Sequence, residues 1–118
     1  MTNLVKIKGN EYMVPFARFR EKDYRHNYRG TVTIVTELPY AEVVDLFSAP
    51  GEWSVIKRFD PITDAEGNVQ QEPDIVTDCT DYEVLCSIKD TRTGVLEVVV
   101  GKITDSEALA ELREVLNG

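Results

Sequence analysis

The sequence has 118 residues, 42% hydrophobic and 29% charged, a length that fits one domain and a balance that is globular rather than disordered. No uncharged run approaches the roughly 18 apolar residues of a membrane span, so membrane protein, collagen, coiled coil and disulfide miniprotein are set aside. The net charge of −8 is uneven: residues 1–30 hold seven Lys/Arg against three Asp/Glu, and residues 31–118 hold six against eighteen. A net-negative chain is repelled by nucleic acid at long range, whereas a bipolar one suits contact with copies of itself or with an oppositely charged protein.

Val5 and Ile7 alternate with Lys6 and Lys8 ahead of Gly9-Asn10, and Glu11 to Val14 follow. Gly between two alternating runs predicts a hairpin. A Gly9-Asn10 turn sets Lys8 opposite Glu11, Ile7 opposite Tyr12 and Val5 opposite Val14. Pro15 ends the second strand or sits at a sheet edge. Residues 16–30 carry Phe16 and Phe19 among Arg18, Arg20, Lys22, Arg25, His26 and Arg29, with Tyr24 and Tyr28 further on. They read as an edge strand entering an irregular loop that ends at Gly30. Along that strand Arg18, Arg20 and Lys22 point to one side.

Thr31 to Thr36 is a β-branched strand. Pro39 fits the first turn of a helix over 39–48, with Tyr40, Val43, Val44 and Phe47 on one face and Glu42 and Asp45 on the other. Pro50-Gly51 stops it. Glu52 to Phe59 is a strand with Trp53, Val55 and Phe59 on one side. Tyr40, Phe47 and Trp53 are expected to fill the core. Residues 60–74 are a polar loop. Strands resume at Ile75–Cys79 and Tyr82–Lys89. A turn follows in which Gly94 suits a left-handed position, and then comes Val95–Val100, apolar enough for the middle of a sheet. Thr104 to Glu107 fits a capping box opening a helix over 104–116 with the stripe Ala108, Leu109, Leu112, Val115 and Leu116.

The reactive residues are few. Cys79 and Cys86 form no CxxC pair, and His26 is the single histidine. Both cysteines look like strand residues in a reducing compartment, and nothing in the spacing brings either to His26. Placing Gly67 at the sixth position of an EF-hand puts the first ligand on Ile62 and the last on Pro73, so that reading fails. Asp60, Asp64 and Glu66 read as a solvated acidic turn, although a looser ion site stays open. There is no phosphate-binding glycine loop. No catalytic residue, cofactor or metal is therefore expected. The basic residues Arg18, Arg20, Lys22, Arg25 and Arg29 form a charged edge that resists aggregation, or a docking patch for an acidic surface on another subunit. Their mixture with aromatics also has the look of a single-strand-binding surface, which the −12 of the remainder opposes.

The order of parts resembles small proteins encoded in phages and prophages, within or near virion-structure gene clusters. The parts that carry it are the short hairpin, the charged Arg20-Glu21-Lys22-Asp23, the Tyr40-Ala41-Glu42 helix, the Trp53 and Cys79 strands, the Lys89–Gly94 turn into Val98-Val99-Val100, Gly101-Lys102 and an acidic final helix. The resemblance implies an assembly or structural accessory role and supplies no catalytic residues. The expected architecture is α+β: a mainly antiparallel twisted sheet or small β-barrel of about six to seven strands, one short internal helix and a C-terminal helix. The expected function is a non-enzymatic interaction module acting through self-association or a protein partner. The chain is expected to be cytoplasmic at synthesis, since no secretory signal is visible, and virion-associated if the resemblance holds. The alternative is a small acidic decoy that imitates nucleic acid on a host enzyme.

Overall fold

A computed structural model describes residues 1–26, 28–104, 107 and 109. The first hairpin pairs β1 (Thr2–Ile7) with β2 (Asn10–Val14). Ile7 lies opposite Asn10, Lys6 opposite Glu11 and Val5 opposite Tyr12. The turn is Lys8-Gly9, with φ of 50° and 79°, the two successive left-handed residues that match strand twist. Asn10 is thus the first strand residue, and the pairing differs by two from the expected Lys8–Glu11 register. An even shift preserves the faces, so Val5 and Ile7 still share theirs with Tyr12 and Val14. Freed from Glu11, the Lys8 ammonium donates to the Asp45 carbonyl at 2.7 Å.

The other strands are β3 (Phe16–Asp23), β4 (Arg29–Thr36), β5 (Trp53–Arg58), β6 (Ile62–Thr63), β7 (Val69–Gln70), β8 (Ile75–Asp78), β9 (Tyr82–Asp90) and β10 (Leu96–Lys102), and the helix α1 spans Tyr40–Phe47. They form two four-stranded antiparallel sheets, ordered β2-β1-β5-β8 and β3-β4-β10-β9, and a separate β6-β7 hairpin. The sheets are open and remain distinct ladders, so the barrel alternative does not form. Two long extended segments pass from one sheet to the other. Residues 10–23 bend at Pro15, which cannot donate to a ladder, and residues 75–90 bend at 79–81. A hairpin inside the expected 60–74 loop adds β6 and β7, and the strand number reaches ten among the described residues.

The core lies between the sheets. Val5, Ile7, Val14 and Val55 from one sheet meet Val32, Ile34, Val98 and Val100 from the other. The mostly apolar β10 occupies a central position, as its composition predicts. α1 plugs the core with Val43, Leu46 and Phe47. Tyr40 shares that stripe but is 63% exposed, contrary to expectation. As the first helical residue it lies a full turn ahead of the part that reaches the sheets. Trp53 fills the core as expected, edge-on to Phe47 at 5.4 Å. On the outer face of the first sheet, Leu4 and Ile56 oppose one another and are also buried. Arg58, on that same face, reaches both Glu11 at 3.2 Å and Asp74 at 2.9 Å.

Past β10, Thr104 and Glu107 form the reciprocal cap that the sequence predicts. The Glu107 amide donates to the Thr104 hydroxyl at 3.2 Å, and the Thr104 amide and hydroxyl donate to the Glu107 carboxylate at 3.2 and 2.8 Å. The rest of the expected 104–116 helix lies outside the described residues, apart from Leu109, which is exposed.

Candidate docking surface

The edge strand β3 is built as its alternation demands. Ala17 and Phe19 pair with Ile34 and Val32 and take the core side. Phe16, Arg18 and Arg20 therefore lie on the opposite face. The register then shifts between Arg20 and Asp23. This bulge breaks the alternation and takes Lys22 off the face of Arg18 and Arg20, so the expected row of three cations is a pair. Among the described residues Arg18, Arg20 and Lys22 make no ion pair. Phe16 is exposed, and Phe19, edge-on to Tyr82 at 5.8 Å, is partly so.

Beyond the bulge a single 3-10 turn, Tyr24–His26, leads to Tyr28. Tyr24 and Tyr28 are 68% and 69% exposed. Tyr28 has φ 58°, a left-handed conformation that an aromatic residue adopts only when its surroundings impose it. The imposing contact is its own N–H, which donates to the Asp23 carbonyl at 2.9 Å. The Arg25 guanidinium lies 5.7 Å from the centre of the Tyr24 ring and 3.9 Å from the Asp23 carboxylate.

Asp23 and Arg29 organise this region from beneath. Asp23 is buried and accepts from the Arg25 amide at 3.1 Å and the Thr31 hydroxyl at 3.0 Å. Burial pushes its carboxyl up, but those two hydrogen bonds and the positive charge of His26 and Arg25 outweigh it, so Asp23 titrates below the usual carboxylate range. The Arg29 side chain is 9% exposed and faces inward. It donates to the carbonyls of His26 at 3.1 Å and Lys102 at 3.2 Å and pairs with Glu107 at 2.7 Å. Gly101 makes room for it, since a Cβ there would stand 2.5 Å from Arg29 Cδ. Of the five basic residues singled out in the sequence, then, Arg18, Arg20, Lys22 and Arg25 reach the surface and Arg29 is spent inside. Sequence reasoning missed that role, because two of the partners of Arg29, Lys102 and Glu107, lie more than 70 residues away.

The chain matches no family model, no curated protein and no solved structure.

The acidic counterpart of this patch is the stretch after β5. Residues 59–88 hold eight Asp/Glu and no Lys/Arg. Every residue from 60 to 78 is exposed, including Ile62, Val69, Ile75 and Val76. Among the described residues the β6-β7 hairpin pairs only with itself. At its tip one oxygen of Asp64 accepts from the amides of Glu66 and Asn68, both at 2.9 Å, which is the polar-turn arrangement. The Asn68 amide above all, with help from the Glu66 amide, holds that carboxylate below its ordinary range against the opposing effect of burial. Among the described residues no three His, Cys, Asp or Glu side chains converge as a metal site.

Cys79 is fully buried at the β8–β9 bend and its amide donates to the Trp53 carbonyl at 2.8 Å. Burial pushes the Cys79 thiol up to about 12. Burial also raises Cys86, against the opposing pull of Arg29. Neither thiol hydrogen-bonds His26; they donate to the carbonyls of Thr77 and Val84. In a Cys86→Ser variant the remaining thiol is expected to ignore an aromatic disulfide reagent at pH 8 and to react fully once urea unfolds the chain. Rapid reaction in native buffer is the contrary result. A cleft of about 550 Å³ opens between Lys6, Lys8, Glu52, Trp53, Val76 and Asp78. Its charges are of both signs, and it holds no histidine or cysteine. No helix among the described residues is long and apolar enough to cross a membrane.

Proposed function

We propose that this chain is a non-enzymatic docking module that binds an acidic protein surface through Arg18, Arg20, Lys22 and Arg25 and the aromatic residues among them. The observation that carries the reading is that, among the described residues, Arg18, Arg20 and Lys22 make no ion pair on an edge strand that also carries exposed Phe16 and leads to exposed Tyr24 and Tyr28. Unpaired cations with aromatic rings provide charge-assisted contacts and apolar anchors together, the combination that interfaces favour. An edge strand that only resisted aggregation would need the charges and not the rings. An assembly role in a virion-structure setting, of the kind the phage and prophage resemblance implies, fits such a module and belongs to the proposal.

The test compares two labelled probes by fluorescence anisotropy, an acidic peptide of alternating Glu and Val and an oligo-dT of equal length. The peptide is expected to bind, and to bind roughly tenfold more weakly to Arg18→Glu/Arg20→Glu. Equal or tighter binding of oligo-dT overturns the reading in favour of a nucleic-acid surface. Loss of both probes overturns it as well.

A further inference from the structure

We infer that the acidic surface recognised by the β3 patch is the β6-β7 arm of a second copy of this chain, so that copies join head to tail. This rests on the docking reading above and names its partner. Three observations lead to it.

The first is charge. The unbroken acidic stretch of 59–88 and the cations of β3 belong to one chain, and among the described residues they do not pair with each other. Among the described residues no arm carboxylate pairs with Arg18, Arg20 or Lys22, and Glu66 and Glu72 pair with no cation. The second is surface. The register sets Ile62 opposite Gln70 and Thr63 opposite Val69, so Ile62 and Val69 project from opposite faces of the arm. Each is about two-thirds exposed. A hairpin apolar on both faces presents an apolar anchor whichever face docks, and exposed rings stand at either end of β3, Phe16 at its start and Tyr24 and Tyr28 beyond its end. The third is fixation. The root of the arm is held by Arg58, whose Nε reaches both oxygens of Asp74 at 3.2 and 3.1 Å while its Nη2 reaches one of them at 2.9 Å. A held arm loses less freedom on docking than a loose loop of equal length. Because the arm and the patch are different surfaces, the contact is heterologous, and its repetition gives a ring or an open chain rather than an isolated pair.

The test is light scattering on the full chain at low and high salt, up to about 1 mM, the weak end of specific association. The wild type is expected to associate at low salt and to dissociate as salt screens the contact. Glu66→Lys/Glu72→Lys reverses the two arm carboxylates that pair with no cation among the described residues and leaves the Asp64 turn in place. Arg18→Glu/Arg20→Glu reverses the two cations that share a face of β3. Each variant alone is expected to stay monomeric, and their equimolar mixture to associate. One chain carrying all four changes restores complementary signs and is expected to self-associate again. Far-UV circular dichroism identifies any variant that fails to fold, and a single-reversal pair, Glu66→Lys with Arg18→Glu, then replaces it.

A wild type that stays monomeric at low salt overturns the inference. If the acidic peptide still binds the patch, the docking reading survives that result. If the wild type associates but the four-change chain does not, the arm and the patch are not each other's partners. Binding of a basic nuclease by the arm of a monomeric wild type overturns the inference in favour of the decoy reading.

Discussion

Replacing Trp53 with alanine is expected to cost about 3–5 kcal/mol, a large share of the roughly 5–15 kcal/mol that holds a domain of this kind together. Trp53 is 3% exposed. Its ring meets Phe47 of α1 edge-on, with planes 81° apart. Its indole N–H donates to the Tyr82 carbonyl at 2.9 Å, and its own carbonyl accepts from the Cys79 amide. One side chain thus ties β5 in the first sheet to the helix and to β9 in the second. Trp53→Phe separates the two contributions. It keeps most of the apolar contact and gives up the hydrogen bond, at a cost of about 1–2 kcal/mol. Urea unfolding followed by far-UV circular dichroism measures both, since the indole fluorescence leaves with the residue. A Trp53→Ala loss below 1 kcal/mol would mean that the three elements do not share this anchor.

The second large effect concerns the inward-facing side chains of Asp23 and Arg29, each held by its own partners. Arg29→Met keeps most of the stem and strips the His26 and Lys102 carbonyls of their charged donor. The expected loss is about 2–3 kcal/mol; Glu107, being half-exposed, regains water and adds little. Asp23 gives the effect of pH. Its folded-state carboxyl titrates below the ordinary value of 3.8. In acid the unfolded chain therefore binds the proton first. The stabilisation from Asp23 is complete above that ordinary value and is lost as pH falls through the lower folded one. A melting series from pH 6 to pH 2 is expected to show its decline below about pH 4, where unfolded carboxylates begin to protonate. Asp23→Asn keeps an acceptor for Thr31 and removes the titration, so its acid slope is expected to be shallower. A variant slope equal to the wild type assigns the acid sensitivity to other carboxylates.

Much of the fold was legible because its periods are strong. The β-branched run Thr31–Thr36, the apolar Val98–Val100 and the capping residues Thr104 and Glu107 each behave as local chemistry dictates. The misplaced features turn on choices that local chemistry leaves open. Lys8-Gly9 and Gly9-Asn10 are both acceptable turns, and the register that forms sets Asn10 opposite Ile7 in the ladder. The bulge at Arg20–Asp23 leaves no trace in composition, yet it decides which cations share a face. The hairpin inside 60–74 is too short and polar to show an alternating pattern. For the candidate site, the charge contrast and the exposed basic residues could be read from the sequence. The inward turn of Arg29 could not, because it depends on a glycine far along the chain whose missing side chain leaves the needed space.

The two extended segments that cross between sheets at Pro15 and at 79–81 have a mechanical consequence. Each sheet owns part of the same two continuous backbones, one at either flank, so the sandwich has no seam along which its halves can part. A load pulling on one layer is delivered through covalent bonds to the other, and the layers must yield together.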